Sequence, residues 1–479
     1  MPRPKTLAIA GVSGFVGRAL AHRLREDWRV VGLTRAADDS LRDLGIELRR
    51  CDLFSLRECE YGLRGVDTAF YLVHSMLPSA HLTQGEFQDL DLLMADNFAR
   101  AAAESGVRHI IYLGGLVPDE PDLSWHLRSR LEVEVTLGSR GVPVTSLRSG
   151  LIIGRGGSSF AMLESLVKGL PAIPCPDWTR SRTQPIALED VIELLRFCLE
   201  NPEDTMGASD IGCPDVLTYR ELMQRTAEAL GLRRLFFSVP VKAMAWCRFW
   251  VHIVTGVPKT LAGPLMESMR HSMVARDRDL QERAGIPGIP FREAVRTALS
   301  RRKGLTITTA WRGRPRRRLD RMGYDHDVRS VQRMKLPKGK SARWAAEQYA
   351  AWLPVFFRMI FRVKTDARRN VTIFPPLLSI PLLELEFSED RSSGSDRQLF
   401  LISGGLLARL TWRMTARPRL EFREVLSGEV LLVAIHDYRP TIPWPIYNLT
   451  QALVHVWVMG HFAKRISAEA KRGDPSIES

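Results

Sequence analysis

The sequence predicts an α/β fold: a doubly wound parallel sheet with a helical cap on its ligand side, followed by a smaller α+β domain. Three observations carry this expectation. The apolar run at 6–10 leads into Gly11-Val12-Ser13-Gly14-Phe15-Val16-Gly17, and a helical period through Ala19, Leu20 and Leu24 follows at once. Short β-branched segments then alternate with helical periods, the pattern of parallel strands covered on both faces. Past about residue 340 the order becomes helix, short strands with hairpin breaks, and a long helix, as in α+β domains.

In chain order, strands are expected at 6–10, 29–33, 46–50, 68–73, 109–113 and 144–147, with helices at 85–105 and 125–139. From 156 to 300 the pattern turns more helical, with helices near 159–168, 188–199, 219–230 and 241–254, the place of a substrate-side cap. Residues 301–343 hold 15 Lys and Arg against 3 Asp, so the net charge of +14 is concentrated in one segment that reads as a linker or exposed arm. Beyond it the sequence predicts a helix near 342–360. Strands follow near 361–364, 371–374, 382–387, 398–403, 406–414, 419–425 and 429–436, and a closing helix near 446–466. The expected domains are therefore 1–155 and 156–300 as one unit, a basic linker at 301–340, and a C-terminal domain at 341–479.

Composition narrows the function. With 45% hydrophobic and 25% charged residues over 479 positions, the chain is globular and long enough for about three domains. The six cysteines are scattered, none in a C-x-x-C pair, which predicts a reduced cytoplasmic setting without structural disulfides or zinc. Cys175, between two prolines, is expected as a buried thiol. No secretory leader is read at the start. Nucleic-acid binding is disfavoured, because the basic arm comes with no recognisable reading element. No histidine spacing matches a metal motif.

The glycine turn carries the strongest functional signal. Gly11 permits a tight turn, Gly14 leaves room for a pyrophosphate at the backbone, and Gly17 lets helix and strand pack closely. The helix N-terminus then offers main-chain amides to the phosphates. This is the dinucleotide-binding pattern of a Rossmann sheet. The second strand ends Thr34-Arg35, beside the expected adenosine ribose. An arginine there accepts a 2′-phosphate, so Arg35, helped by Thr34 and Ser13, favours NADP(H) over NAD(H). Asp38 and Asp39 close behind weigh against that preference.

Residues 1–300 resemble the atypical short-chain dehydrogenase/reductases, the NmrA-like and complex-I-subunit-like group of NAD(P)-binding proteins. The motifs are Gly11–Gly17, Cys51-Asp52-Leu53, Leu72-Val73-His74-Ser75-Met76, the run 147–154 and the run 181–190. The whole chain is similar to the YbjT-type bacterial proteins, which add a C-terminal domain. That domain is similar in element order to START-like ligand-binding folds. The resemblance implies that Asp52 and Leu53 flank the adenine, and that Val73, His74 and Ser75 line the path to the nicotinamide ribose. Gly114, at the end of the fifth strand, is assigned to the cofactor side. The amides of Phe15 and Val16 belong to the glycine loop.

A working short-chain reductase uses a Tyr with a Lys four residues on, and none of the eight tyrosines here has one. At the expected helix stand His126 and Arg130, four apart on one face. His126 is the candidate proton shuttle and Arg130 the candidate ribose ligand. Two functions stay open. One is an NADP(H)-dependent oxidoreductase acting on an apolar carbonyl or quinone-type substrate. The other is a non-catalytic NAD(P)-binding regulator or scaffold with a ligand-binding or membrane-docking C-terminal domain. Residues 440–463 carry no formal charge and Lys464-Arg465 follow. With the basic linker, they make a membrane surface a candidate partner.

Overall fold

The computed structural model describes residues 5–36, 38–74, 82–239, 263, 266–300, 328–392, 394–408 and 417–472. The chain divides into two units. The first comprises Met1–Leu77 and Asn97–Arg314, and the second Pro78–Asp96 and Pro315–Ser479.

The first part of the chain supplies strands Thr6–Ala10 (β1), Arg29–Thr34 (β2), Glu47–Arg50 (β3), Thr68–Tyr71 (β4), Leu82–Gln84 (β5), His109–Gly115 (β6), Val144–Ser149 (β7) and Gly207–Ile211 (β8). All but β5 form one seven-stranded parallel sheet, in the order β8-β7-β6-β4-β1-β2-β3. The strand order reverses beside β1, so the carboxyl ends of β1 and β4 flank a switch-point crevice, where such sheets bind ligands. Every residue of β1 is buried, as the continuous apolar run Leu7-Ala8-Ile9-Ala10 requires.

Helices Phe15–Leu24 (α1), Phe87–Glu104 (α2), Trp125–Gly138 (α3), Ser158–Gly169 (α4) and Leu188–Glu200 (α5) follow the predicted periods. Leu20, Ala21 and Leu24 of α1 share a core with Val191, Leu194 and Leu195 of α5. A second core joins Phe160 and Leu163 of α4 to Leu222, Met223 and Phe291, all from the part of the chain after residue 155. The helix expected near 241–254 lies outside the described residues.

The second unit adds strands Val328–Lys335 (β9), Arg362–Thr365 (β10), Val371–Phe374 (β11), Leu383–Phe387 (β12), Arg397–Gly404 (β13), Arg419–Val425 (β14) and Val430–Tyr438 (β15), with helices Ala342–Phe357 (α6) and Gln451–Arg472 (α7). Its sheet runs β10-β11-β12-β13-β14-β15-β9-β5. All its pairs are antiparallel except β9 with β5, which are parallel. The helices pack on one face, with Tyr349, Phe422 and Phe462 in mutual ring contact.

Three expectations change here. Val328–Lys335, assigned to the linker because of its charge, is a strand. Its arginines hid the alternation, since Arg329 is a buried strand residue instead of a solvated one. The strand expected near 406–414 begins differently: Leu406 and Leu407 form a turn, and only an isolated bridge joins Ala408 to Pro440. Residues 409–416 lie outside the described set. Finally, the segment through Asp96, expected within the N-terminal domain, belongs to the second unit, and the unit boundary falls inside α2.

The reason is electrostatic. The sheet face away from α6 and α7 buries Glu421 and Arg423 of β14, Arg397 of β13 and His436 of β15. Asp96 of α2 accepts a 2.9 Å ion pair from Arg423, both residues being 1% exposed. Asp89 lies 3.6 Å from Arg333 of β9. Burial opposes ionisation of Glu421, but the guanidinium groups of Arg397 and Arg423 outweigh it and hold its carboxyl well below the usual range. Burial and Arg419 push the His436 imidazole down to about 4, against the pull of Glu421, so it is neutral at pH 7.

Candidate active site

The glycine turn begins where β1 ends. Gly11 has φ +88°, and a Cβ there would stand 2.8 Å from the Leu72 carbonyl oxygen and 3.2 Å from Val73 Cγ2. The Gly14 amide donates to the Gly11 carbonyl at 2.9 Å and closes the turn. A Cβ on Gly17 would overlap the Gly11 oxygen at 2.2 Å, so α1 can approach β1 only with glycine at that position. Gly14 is different. It is exposed, its backbone is extended, and a Cβ there would meet only the Gly11 oxygen at 3.0 Å. No side chain caps α1, whose first-turn amides belong to Phe15, Val16 and Gly17. Ser13 is exposed on the same turn. The Phe15 ring is occupied elsewhere. It packs on Gly154, Gly156 and Gly157, where Cβ atoms would come within 2.8, 3.1 and 3.0 Å of it. The roles left to Phe15 and Val16 are those of their amides.

At the tip of β2, the Thr34 hydroxyl donates to the Ala36 carbonyl at 2.9 Å and so shapes the turn. Arg35 is half-buried and has no hydrogen-bond or ion-pair partner among the described residues. Asp38, the neighbour that weighed against a phosphate here, is engaged by Arg18 at 2.5 Å and by Ser40 at 2.6 Å. Burial opposes its ionisation, but those two hydrogen bonds prevail and hold the carboxyl below its usual value. Arg18 follows the third glycine directly, and sequence reasoning passed over it. Its charge offsets Asp38 and leaves that of Arg35 uncancelled.

After β3, Asp52 and Leu53 are 2% and 7% exposed. Asp52 Oδ1 accepts from the Phe54 amide at 3.3 Å, and its own amide donates to Glu58 at 2.8 Å. The Leu53 carbonyl accepts from Asn97 Nδ2 at 2.8 Å. Asn97 is a second residue that sequence reasoning missed. No local signal singles it out, since Gln88, Asp89, Asp91, Asp96 and Arg100 of the same helix are buried as well.

The tips of β4 and β6 meet the start of α3. The His74 and His126 rings lie 5.0 Å apart by centroid. Ser75 lies outside the described residues. Gly114 is packed on the Tyr112 ring, where a Cβ would come within 2.9 Å of Cε1. Tyr112 donates its hydroxyl to the Arg130 carbonyl at 3.2 Å and lies under the Arg130 guanidinium at 5.1 Å. Arg130, 7% exposed, donates Nη2 to the Leu113 carbonyl at 2.9 Å. Its Nη1 is buried without a partner among the described residues. Burial, then the nearby charges of His74 and Arg130, push the His126 imidazole well below its usual value, so it is neutral at pH 7.

The start of α3 is itself pinned. Ser124 caps it and pairs with Ser268 at 2.9 Å, and Glu120 binds His271 at 2.5 Å. Cys175 is 4% exposed and burial raises its thiol, as expected for an inert packing residue.

The structure thus brings Gly11 against Val73 and His74 against His126, one helical turn before Arg130, with Thr34 and Arg35 at the tip of β2. An uncapped helix start, an unpartnered arginine and a buried orphaned guanidinium nitrogen suit a ligand with a diphosphate, a second anionic group and hydroxyls.

Residues 7–122 match the model of the NAD dependent epimerase/dehydratase family. The chain is 29% identical over 144 residues to auxiliary protein GraX of Staphylococcus aureus, covering 30% of this chain and 43% of that protein. The match therefore spans less than half of that relative's length. It is 28% identical over 238 residues to ceramide reductase of Caulobacter vibrioides, covering 49% and 73%. Among solved structures, triphenylmethane reductase of Citrobacter sp. with NADP(H) matches at a TM-score of 0.49 and 18% identity, over 61% of this chain and 99% of that one.

Proposed function

From an N-terminal segment that matches the NAD dependent epimerase/dehydratase family and resembles the atypical short-chain dehydrogenase/reductases, we propose that the chain is an NADP(H)-dependent reductase of an apolar carbonyl or quinone-type substrate. One observation carries the reading: a glycine turn, open at Gly14 and closed at Gly17, stands at the switch point of a parallel sheet. One relative is named for the reduction of ceramide, which accords with an apolar substrate.

A bound nicotinamide supplies the hydride. The amides of α1 hold the diphosphate, and Arg35 binds the 2′-phosphate. Arg130 Nη1 donates to a ribose hydroxyl. His126, being neutral, offers an N–H hydrogen bond to the substrate oxygen as charge develops there, and the proton that completes the product hydroxyl comes from solvent. Because His126 does not change charge near its usual value, turnover is expected to show no inflection at about pH 6.5.

The deciding experiment is steady NADPH oxidation with a panel of quinones and enones. His126→Ala is expected to lower kcat about a hundredfold or more with NADPH binding retained, in the range of a lost oxyanion donor. A second reading, a non-catalytic NAD(P)-binding regulator, is favoured by the absence of the Tyr and Lys pair, since Tyr112 is committed to Arg130. NADPH binding without oxidation by any acceptor would select it.

Cofactor preference is tested at Arg35. Arg35→Ala is expected to weaken NADPH about tenfold or more and NADH less than about twofold, by fluorescence titration, as loss of a charged hydrogen bond requires. Equal losses would remove the assignment to the 2′-phosphate.

A further inference from the structure

A later stretch of the first unit covers the ligand-side ends of β6 and β7. Leu116 follows β6 directly and packs with Leu127 of α3 and with Met273. A Cβ on Gly150, just past β7, would stand 3.5 Å from Leu116 Cδ1 and 2.7 Å from the Gln184 carbonyl oxygen. The Met273 amide donates to the Arg182 carbonyl and the Gln184 amide to the Met273 carbonyl, each at 2.8 Å. Ser268 pairs with Ser124, the cap of α3, two residues before His126. The segment 266–273 therefore lies over the carboxyl ends of these strands, the side on which such sheets hold ligands.

His271 stands in the middle of that segment and is 6% exposed. Its Nδ1 meets the Glu120 carboxylate at 2.5 Å, on the loop that leaves β6. Its backbone amide donates to the Ser268 carbonyl at 3.2 Å. Its Nε2 is buried and has no hydrogen-bond partner among the described residues. A carboxylate only accepts, so Glu120 fixes the ring proton on Nδ1, and the neutral imidazole keeps a lone pair on Nε2. A buried acceptor is seldom left unmet, and Leu116 and Leu127, which pack on nearby Met273, offer no donor.

We propose that His271 Nε2 accepts a hydrogen bond from the substrate. This narrows the substrate class to carbonyl compounds that carry a hydroxyl or amide N–H on an otherwise apolar body. The inference rests on the reductase reading given above. The role is recognition: no proton is transferred at His271, and Glu120 is a positioning residue that holds the tautomer. His126 donates and His271 accepts, so the two histidines read opposite hydrogen-bonding groups of one molecule.

The test is NADPH oxidation by the full-length chain at about pH 8, above the ordinary imidazole range. The probes are a long-chain ketone and the same ketone with a hydroxyl or acetamido group on the adjacent or the next carbon. The O-methyl and N-methyl forms of each lack the donor. A donor-bearing member is expected to exceed both the plain ketone and its own methylated form about tenfold or more in kcat/KM, since a mismatched ligand leaves the acceptor unmet. His271→Leu is expected to abolish that ratio. Should the variant fold poorly, Glu120→Lys decides by the same ratio, because it sets only donors beside Nδ1 and moves the ring proton to Nε2. A purely structural pair would change every rate alike and leave the ratio intact. A wild-type ratio near one, or a ratio that survives both variants, overturns the proposal. Absence of oxidation by every member removes the reductase reading instead. Calorimetric titration of the same compounds into the NADP-loaded chain then gives the ratio as relative Kd, and no preference for the donor-bearing members overturns this proposal too.

Discussion

Gly14→Val is expected to leave the first unit folded and to weaken NADPH about a hundredfold or more, whereas Gly17→Val abolishes binding by spoiling the fold. The two glycines share one motif and differ in what surrounds them. At Gly14 the backbone is one that any residue adopts, and a Cβ meets a single oxygen at 3.0 Å. A few tenths of an ångström of adjustment accommodates it, but the branched side chain then stands where a diphosphate approaches the amides. At Gly17 a Cβ would lie 2.2 Å from the Gly11 oxygen and 2.8 Å from its carbon. The strand and helix must separate, at a cost of about 3 kcal/mol or more. Gly45→Ala is the control. Its φ is also positive, at +77°, but nothing lies within 4 Å, so about 1 kcal/mol of backbone strain is expected with binding unchanged. Thermal unfolding with and without NADPH separates the three. Unaltered NADPH affinity in a folded Gly14→Val variant would remove the main support for nucleotide binding at this turn.

Asp96→Ala is expected to destabilise the second unit by about 3–5 kcal/mol, the usual cost of stranding one partner of a buried ion pair. Arg423 would keep Glu421, which Arg397 also engages. Asp96→Asn keeps an acceptor and should cost less. The double variant Asp96→Ala/Arg423→Met should regain much of the loss, because it removes the uncompensated charge as well. Denaturant unfolding of the wild type, the single variants Asp96→Ala and Arg423→Met, and the double variant closes the cycle. Additive losses would mean that the pair carries no coupling. The experiment also tests the unit boundary, since Asp96 lies far from β14 in sequence and belongs to the same unit.

Most of the parallel sheet was legible because its signals are local. Apolar runs such as Thr6–Ala10 and His109–Gly115 are delimited by their own neighbours, and the glycine spacing implies a turn before any tertiary contact is considered. The site was legible where a backbone motif carries it, at Gly11, Gly14 and Gly17. It was less so where side chains from distant positions converge. Asn97 holding Leu53, Arg18 cancelling Asp38, and Tyr112 beneath Arg130 are pairings that no short window contains. Charge misled at Val328–Lys335, because an arginine reads as solvated until its buried neighbours are known.

The residues alone settled the α/β sheet and the place of its glycine turn, for both follow from periodicity and from the sterics of three glycines. Tertiary structure alone assigned the segment ending at Asp96 to the second unit, and showed Arg130 presenting a buried donor and His126 held neutral. Those outcomes depend on desolvation and charge pairing between residues up to hundreds of positions apart, and such energies exist only once the chain has closed around them.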